Sequence, residues 1–269
     1  MLGLHLLLAF TSLFLPNAIQ QGPIYGGTSG GGGGSITYGS AAGCGNGSTT
    51  TTVSTNQAGV GCTSLTTVNL PSGALAWGAC MFQGTVGTET IAYTDTAGNV
   101  YSPGTTLQFN AAAGSFQMFF AKNTTANASD AGTCTISASV GGSATSAAIL
   151  GYITGANTST PQDVSNAGNA NDGGSSGTTF TSANFSTTNA TEYVLACAAS
   201  STNNTFTVGT IGGVGATIAF TSSQVPNGAG TGILGCEYRI TSGTLSTQNA
   251  NFTYSASSRW NIGVNSFHP

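Results

Sequence analysis

Short apolar runs that alternate with polar residues, set between turns rich in Gly, Asn and Asp, limit what this chain can fold into more than any other feature. No stretch carries a helical period. Candidate strands lie at 74–83 (ALAWGACMFQ), 89–94, 115–121 (SFQMFFA), 133–140, 146–154, 191–199, 205–211, 216–222, 231–241, 250–255 and 259–267. Between them, Asp95-Thr96-Ala97-Gly98-Asn99 reads as a hairpin loop and Asn171-Asp172-Gly173-Gly174 as a second loop. Strands this short and this frequent over residues 62–269 predict an all-β fold: one β-sandwich of jelly-roll or immunoglobulin-like type.

Six cysteines, Cys44, Cys62, Cys80, Cys134, Cys197 and Cys236, form an even set without C-x-x-C spacing, which argues against zinc. Spacing alone leaves every pairing open, but strand alternation narrows it. Tyr193, Leu195 and Cys197 share one face of their strand, and Leu234, Cys236, Tyr238 and Ile240 share one face of theirs. Both thiols then face one core, so Cys197–Cys236 is the first expected bond, with Cys80–Cys134 and Cys44–Cys62 next. Disulfides imply an oxidising, extracellular or cell-surface location.

The first ten residues place Leu2, Leu4, Leu6, Leu8 and Phe10 on one side of an extended chain and Gly3, His5, Leu7 and Ala9 on the other. A cleaved leader would want a basic start and a small-residue cleavage site. Yet the first basic residue is Lys122, and Pro16-Asn17-Ala18 matches a cleavage site poorly. The expectation is therefore a retained apolar strand, suited to joining the sheet of another subunit. Pro16 ends the run short of the roughly 20 residues that a membrane span needs. Residues 22–61, with Gly26-Gly27 and the run Gly30 to Gly34, read as a linker. Three segments result: a donor strand at 1–21, a linker at 22–61 and a sandwich at 62–269.

Only 4% of the residues are charged, against roughly 25% in ordinary soluble domains. With a net charge of -4 and only Lys122, Arg239 and Arg259 as cations, the chain has no basic footprint for nucleic acid or anionic membrane. Sugar is the expected substitute for charge. Sequons stand at Asn46, Asn123, Asn127, Asn157, Asn184, Asn189, Asn203 and Asn251, so covalent glycans are expected and no other cofactor.

Chemistry-bearing residues are sparse. His5 and His268 have no nucleophile or carboxylate beside them in sequence, and the carboxylates Glu89, Asp95, Asp130, Asp163, Asp172, Glu192 and Glu237 show no spacing that singles out a catalytic pair. No catalytic residue is expected. Asp163, Asn166, Asn169, Asn171 and Asp172 offer calcium-type oxygens without calcium-loop spacing, so they read as an Asx-rich turn, and no metal site is expected. Glu237 and Arg239 fall on the outward face of one strand and read as a surface contact or ion pair. Trp77 alternates in phase with Leu75 and Met81, and Trp260 with Ile262 and Val264, which fits core packing better than sugar stacking.

The ordered series YTDTAGNVY, FQMFFAKN, AILGYITGANTSTPQDV, TEYVLACAAS, GCEYRITSGT and SSRWNIGVNSF resembles jelly-roll modules of secreted bacterial surface proteins, over residues 62–269. With the apolar strand and glycine tether in front, the whole chain resembles a subunit of glycosylated, donor-strand-linked extracellular fibrils of microbes. That resemblance implies a structural role, a second copy of the chain as partner, and no catalytic residues to carry over. The alternative is a secreted adhesin or carbohydrate-binding module that meets cell-surface or matrix glycans. Such a module does not need the N-terminal strand.

Overall fold

A computed structural model describes residues 35–46, 52–54, 67–83, 89–110, 114–137, 146–171, 176–202, 205–223 and 232–269. The expected donor strand at 1–21, with Leu2, Leu4, Leu6, Leu8 and Phe10, lies outside these residues, as do Cys62, Asp172 and Asn203. Every helix or strand element among the described residues is a strand. The first half of the chain contains β1 (Thr37–Asn46), β2 (Thr52–Ser54), β3 (Val68–Leu70), β4 (Leu75–Phe82), β5 (Ile91–Asp95), β6 (Ser102–Pro103), β7 (Gln108–Asn110), β8 (Gly114–Ala121), β9 (Asn127–Asp130), β10 (Gly132–Ile136) and β11 (Ser146–Thr154). The second half contains β12 (Ala170–Asn171), β13 (Gly177–Thr181), β14 (Tyr193–Ser200), β15 (Phe206–Ile211), β16 (Val214–Gly215), β17 (Thr217–Ser223), β18 (Ile233–Ile240), β19 (Ala250–Ser258) and β20 (Trp260–Phe267).

These strands pair antiparallel. An inner sheet of the first half runs β1-β11-β4-β8-β6, with β7 also on β8, and its outer sheet runs β2-β10-β5. The second half repeats the plan: β12-β20-β14-β18-β17 inside and β13-β19-β15-β16 outside. Strand for strand, β1, β11, β4 and β8 correspond to β12, β20, β14 and β18, while β2, β10 and β5 correspond to β13, β19 and β15. A small ladder, β3-β9, completes the first half.

Three apolar layers separate the sheets. Leu75, Trp77, Met81, Phe116 and Ile149 of the first inner sheet meet Tyr193, Leu195, Leu234 and Phe267 of the second, so the two inner sheets pack against each other. Behind the first, Phe82, Phe119 and Leu150 meet Ile91, Tyr93 and Ile136 of its outer sheet. Behind the second, Val194, Ile233 and Ile262 meet Phe180, Phe206, Phe252 and Tyr254. The single sandwich expected from the sequence is thus a stack of four sheet layers, in which each inner sheet is covered on both faces. Such sheets carry nearly continuous apolar runs rather than strict alternation, and β4 and β14 are buried at every position.

Among the described residues two disulfides are present, Cys80–Cys134 from the first inner sheet to its outer sheet, and Cys197–Cys236 between the adjacent strands β14 and β18. Both join pairs expected from the sequence; Cys44–Cys62 involves a residue outside the described ones. The linker expected at 22–61 needs correction, because β1 and β2 lie inside it. β1 pairs with β11 from Thr37 to Asn46. Gly39 serves close approach: a Cβ on it, at the bulge between Tyr38 and Ser40, would collide with the Tyr152 ring.

Candidate functional site

Strand β5 ends its sheet and has one side on which no described strand pairs. Its neighbour β10 sets the phase: Ser137 N–H donates to Thr90 O and Thr96 N–H to Ala131 O, both at 3.0 Å. Even-numbered residues therefore bond to β10, and the N–H and C=O groups of Ile91 and Tyr93 point the other way. No described strand pairs on that side. The corresponding edge in the second half is partly closed by β16, which pairs Thr210 with Gly215 and Ile211 with Val214 after a Gly212-Gly213 turn. In the first half the chain instead turns at Gly98 (φ 76°) and moves to β8 through β6, so the hairpin loop expected at 95–99 is a turn that joins no paired hairpin.

The free edge is held firmly from behind. Ile91 and Tyr93 point inward, and the Tyr93 hydroxyl donates to Ile149 O at 2.7 Å. Its ring packs 4.7 Å from Tyr101 and 5.7 Å from Phe119, centroid to centroid. Ala92 and Thr94 face solvent. The result is a rigid, sequence-neutral row of donors and acceptors.

Carboxyl groups mostly serve the interior. Glu89, Asp130, Glu192 and Glu237 are all buried. Asp95 accepts from Asn99 N (2.9 Å), Asn99 Nδ2 (2.7 Å) and the Tyr101 hydroxyl (2.9 Å), and so fixes the turn after β5. Asp130 accepts from Thr96 Oγ1 (2.8 Å) and Ala97 N (3.0 Å) in the same turn, and burial raises its pKa above the ordinary carboxyl range. Glu89 bonds to Ser115.

Asp163 and Glu192 lie against each other as an acid pair. Burial, then the hydrogen bond to Asp163, pushes Glu192 up to about 7. Burial also acts on Asp163, but hydrogen bonds from Glu192 and Thr188 outweigh it and hold that carboxyl below its usual value. The two carboxyls are thus shifted apart, Glu192 upward and Asp163 downward. With Thr188 N donating to Asp163 at 2.6 Å and Asn189 N to Glu192 at 3.1 Å, the pair clasps two loops together. The rest of the Asx-rich segment is also engaged: Asn166 Oδ1 accepts from Thr106 N at 2.6 Å and Asn169 Nδ2 donates to Thr106 Oγ1 at 3.2 Å. His268 terminates β20, its backbone N–H donating to Pro161 O at 2.9 Å.

Glu237 and Arg239 do not form the surface contact expected. Their face of β18 is covered by the outer sheet, where Gly209 N donates to Glu237 Oε2 at 2.8 Å and Arg239 Nη1 donates to Ile211 O at 2.7 Å. Burial raises Glu237 to about 7, against the opposing Gly209 hydrogen bond. Glu237 Oε1 is buried without a partner. Trp77 and Trp260 are both in the interior, at 0% and 8% exposure.

The sequons differ in availability. Asn127, Asn189 and Asn251 spend their amide N–H groups on Thr96 Oγ1 (3.0 Å), Glu192 Oε1 (3.2 Å) and Thr210 Oγ1 (2.8 Å). Asn157 folds back to accept from Ser159 N and Thr160 N. Asn46 ends β1. Asn123 and Asn184 are exposed. Asn123 lines an open groove of about 530 Å³ together with Val100, Phe120, Lys122, Thr125 and Gln162.

No family model, curated protein or solved structure matches this chain. Among the described residues no helix is long and apolar enough to cross a membrane.

Proposed function

We propose that this chain is a structural subunit of an extracellular filament, in which the apolar strand near the N-terminus of one copy adds to the sheet of the next. The observation that carries this reading is the edge of β5 on which no described strand pairs, whose second-half counterpart is partly occupied by β16. Unpaired edges on rigid sheets are templates for strand addition. Leu2, Leu4, Leu6, Leu8 and Phe10 supply the alternation a strand needs. Burying such side chains is worth about 1.5–3 kcal/mol each, offset by the ordering of a glycine-rich tether. Donation from one copy to the next is heterologous and leads to an open filament rather than a ring.

Strand order supports a jelly-roll reading of the second half, and the first half follows the same order with no described strand in the fifth place. Numbering the second-half strands from β12 to β20 without β17, the inner sheet reads first-eighth-third-sixth and the outer sheet second-seventh-fourth-fifth, the double Greek-key order. The disulfides agree with an oxidising location, and a glycosylated surface would compensate for the scarcity of charge.

Electron microscopy of the full chain beside a variant lacking residues 1–15 tests the assembly. Filaments from the full chain and dispersed, folded particles from the truncation are expected. Filaments from both would overturn strand donation.

A further inference from the structure

We infer that Asn123 carries an N-linked glycan whose first sugars lie in the groove beside Val100 and Phe120. The inference rests on the glycosylated surface proposed above and names the site and seat of one glycan. Three observations converge on it. Asn123 sits in the sequon Asn123-Thr124-Thr125, and its own backbone is in the left-handed region at φ 52°. That conformation is one Asn adopts more readily than most residues, and the turn around it is pinned: Thr124 N donates to Ala74 O (3.0 Å), Gly73 N to Thr124 O (2.8 Å) and the Thr124 hydroxyl to Pro71 O (2.8 Å). The side chain is thereby projected from a rigid base.

Among the described sequons, Asn123 and Asn184 are the exposed ones, whereas Asn127, Asn189 and Asn251 have committed their amide nitrogens to the fold. Asn127 and Asn189 each donate two hydrogen bonds from Nδ2, so attachment there would cost one, and at Asn251 it would leave the remaining N–H tied to Thr210. At Asn123 it costs none that the structure shows. The reacting hydroxyl residue of the sequon, Thr125, is exposed too, and only its backbone N–H is used, donating to Asn99 Oδ1 at 2.8 Å.

The third observation is the groove itself. Val100 is 87% exposed, the most exposed large apolar side chain described, and stands next to half-buried Phe120. An isolated exposed valine needs no explanation, but here it lines the same groove as the free sequon. The volume of about 530 Å³ lies within the range of small-ligand sites. N-acetylhexosamine presents an apolar ring face and a methyl group to such a wall while its hydroxyls meet Lys122, Thr125 and Gln162. In the modification, Nδ2 of Asn123 bonds to the anomeric carbon of a lipid-diphosphate-linked oligosaccharide, the amide loses a proton, and the lipid diphosphate leaves.

Glycopeptide mass spectrometry of the full chain, secreted from a glycosylating eukaryotic host, tests the site. Expected are sugar at Asn123, its loss in Thr125→Ala and its retention in Thr125→Ser. Peptide-N-glycosidase acting on the native protein is the second readout: release from Asn123 is expected at least tenfold slower than from Asn184, and Val100→Asp should remove that protection without removing the sugar. A bare Asn123 beside a modified Asn184 would overturn the site and leave the glycosylated-surface reading standing. Equal release rates would overturn the seat. Sugar at no sequon would overturn both.

Discussion

Glu237 shows how one residue reports on the layers around it. By alternation along β18 it belongs opposite Cys236, and a sandwich with one core would leave it in water; a second core behind the sheet buries it instead. A clue was present in the sequence. YVLACAAS and ILGC put small apolar residues, not polar ones, on the face shared with Glu237, a mark of a strand covered on both sides. Its consequence is a dependence of stability on pH. Glu192 and Glu237 are raised to about 7 and Asp130 is raised in the same sense. A carboxyl whose folded pKa lies above its unfolded value contributes stability that is full below the unfolded pKa and is lost as pH rises through the folded one. Asp163 acts in the opposite sense, and its share is lost on acidification. Thermal melts followed by circular dichroism should give a higher midpoint at pH 5 than at pH 8. Glu237→Gln keeps the shape and removes the charge; it should raise the midpoint at pH 8, by about 2–4 °C for each kcal/mol recovered, and leave it nearly unchanged at pH 5. An equal effect at both pH values would assign Glu237 a purely steric role.

At the level of strands, legibility followed composition. Each of the apolar segments expected from 74 to 267 overlaps a described strand, and 146–154 matches β11 at both ends. Those segments contain branched and aromatic residues at spacing two. β1 was hidden because TYGSAAGCGN has the composition of a linker, and its pairing with β11 depends on close backbone approach that no local pattern encodes. The short strands β3, β9 and β12 likewise owe their extension to neighbours distant in sequence, while β16 folds back on β15 through a tight glycine turn. The β5 edge was equally illegible, since an unpaired edge is a property of the whole sheet. The disulfides were readable because alternation orients thiols. Cys80–Cys134 spans 54 residues and fastens the short outer strand β10 to β4. Replacing both cysteines by alanine should cost about 2–4 kcal/mol in denaturant unfolding, with earlier hydrogen exchange in β5 and β10 than in β14. Uniform loss of protection across both halves would contradict that local role.

For the molecule as a whole, the middle apolar layer binds the halves into one object, because neither inner sheet has its full cover without the other. Trp77, with 0% exposure, lies in that layer. Trp77→Ala should cost about 3–5 kcal/mol and shift a single unfolding transition rather than split it in two. Residues 35–156 and 157–269 expressed separately should expose their inner sheets and aggregate; soluble, cooperatively melting fragments would show that each half is self-sufficient.

Hiding acids in the interior also alters how the particle moves in an electric field. The formal net charge is -4, but near pH 6 the folded chain keeps protons on Glu192 and Glu237 that the unfolded chain releases. Unfolding at that pH therefore makes the polypeptide about two charges more negative. Run across a transverse urea gradient at pH 6, the chain should gain charge at the same denaturant concentration at which it expands. In isoelectric focusing the native form should come to rest at a higher pH than the same chain in urea.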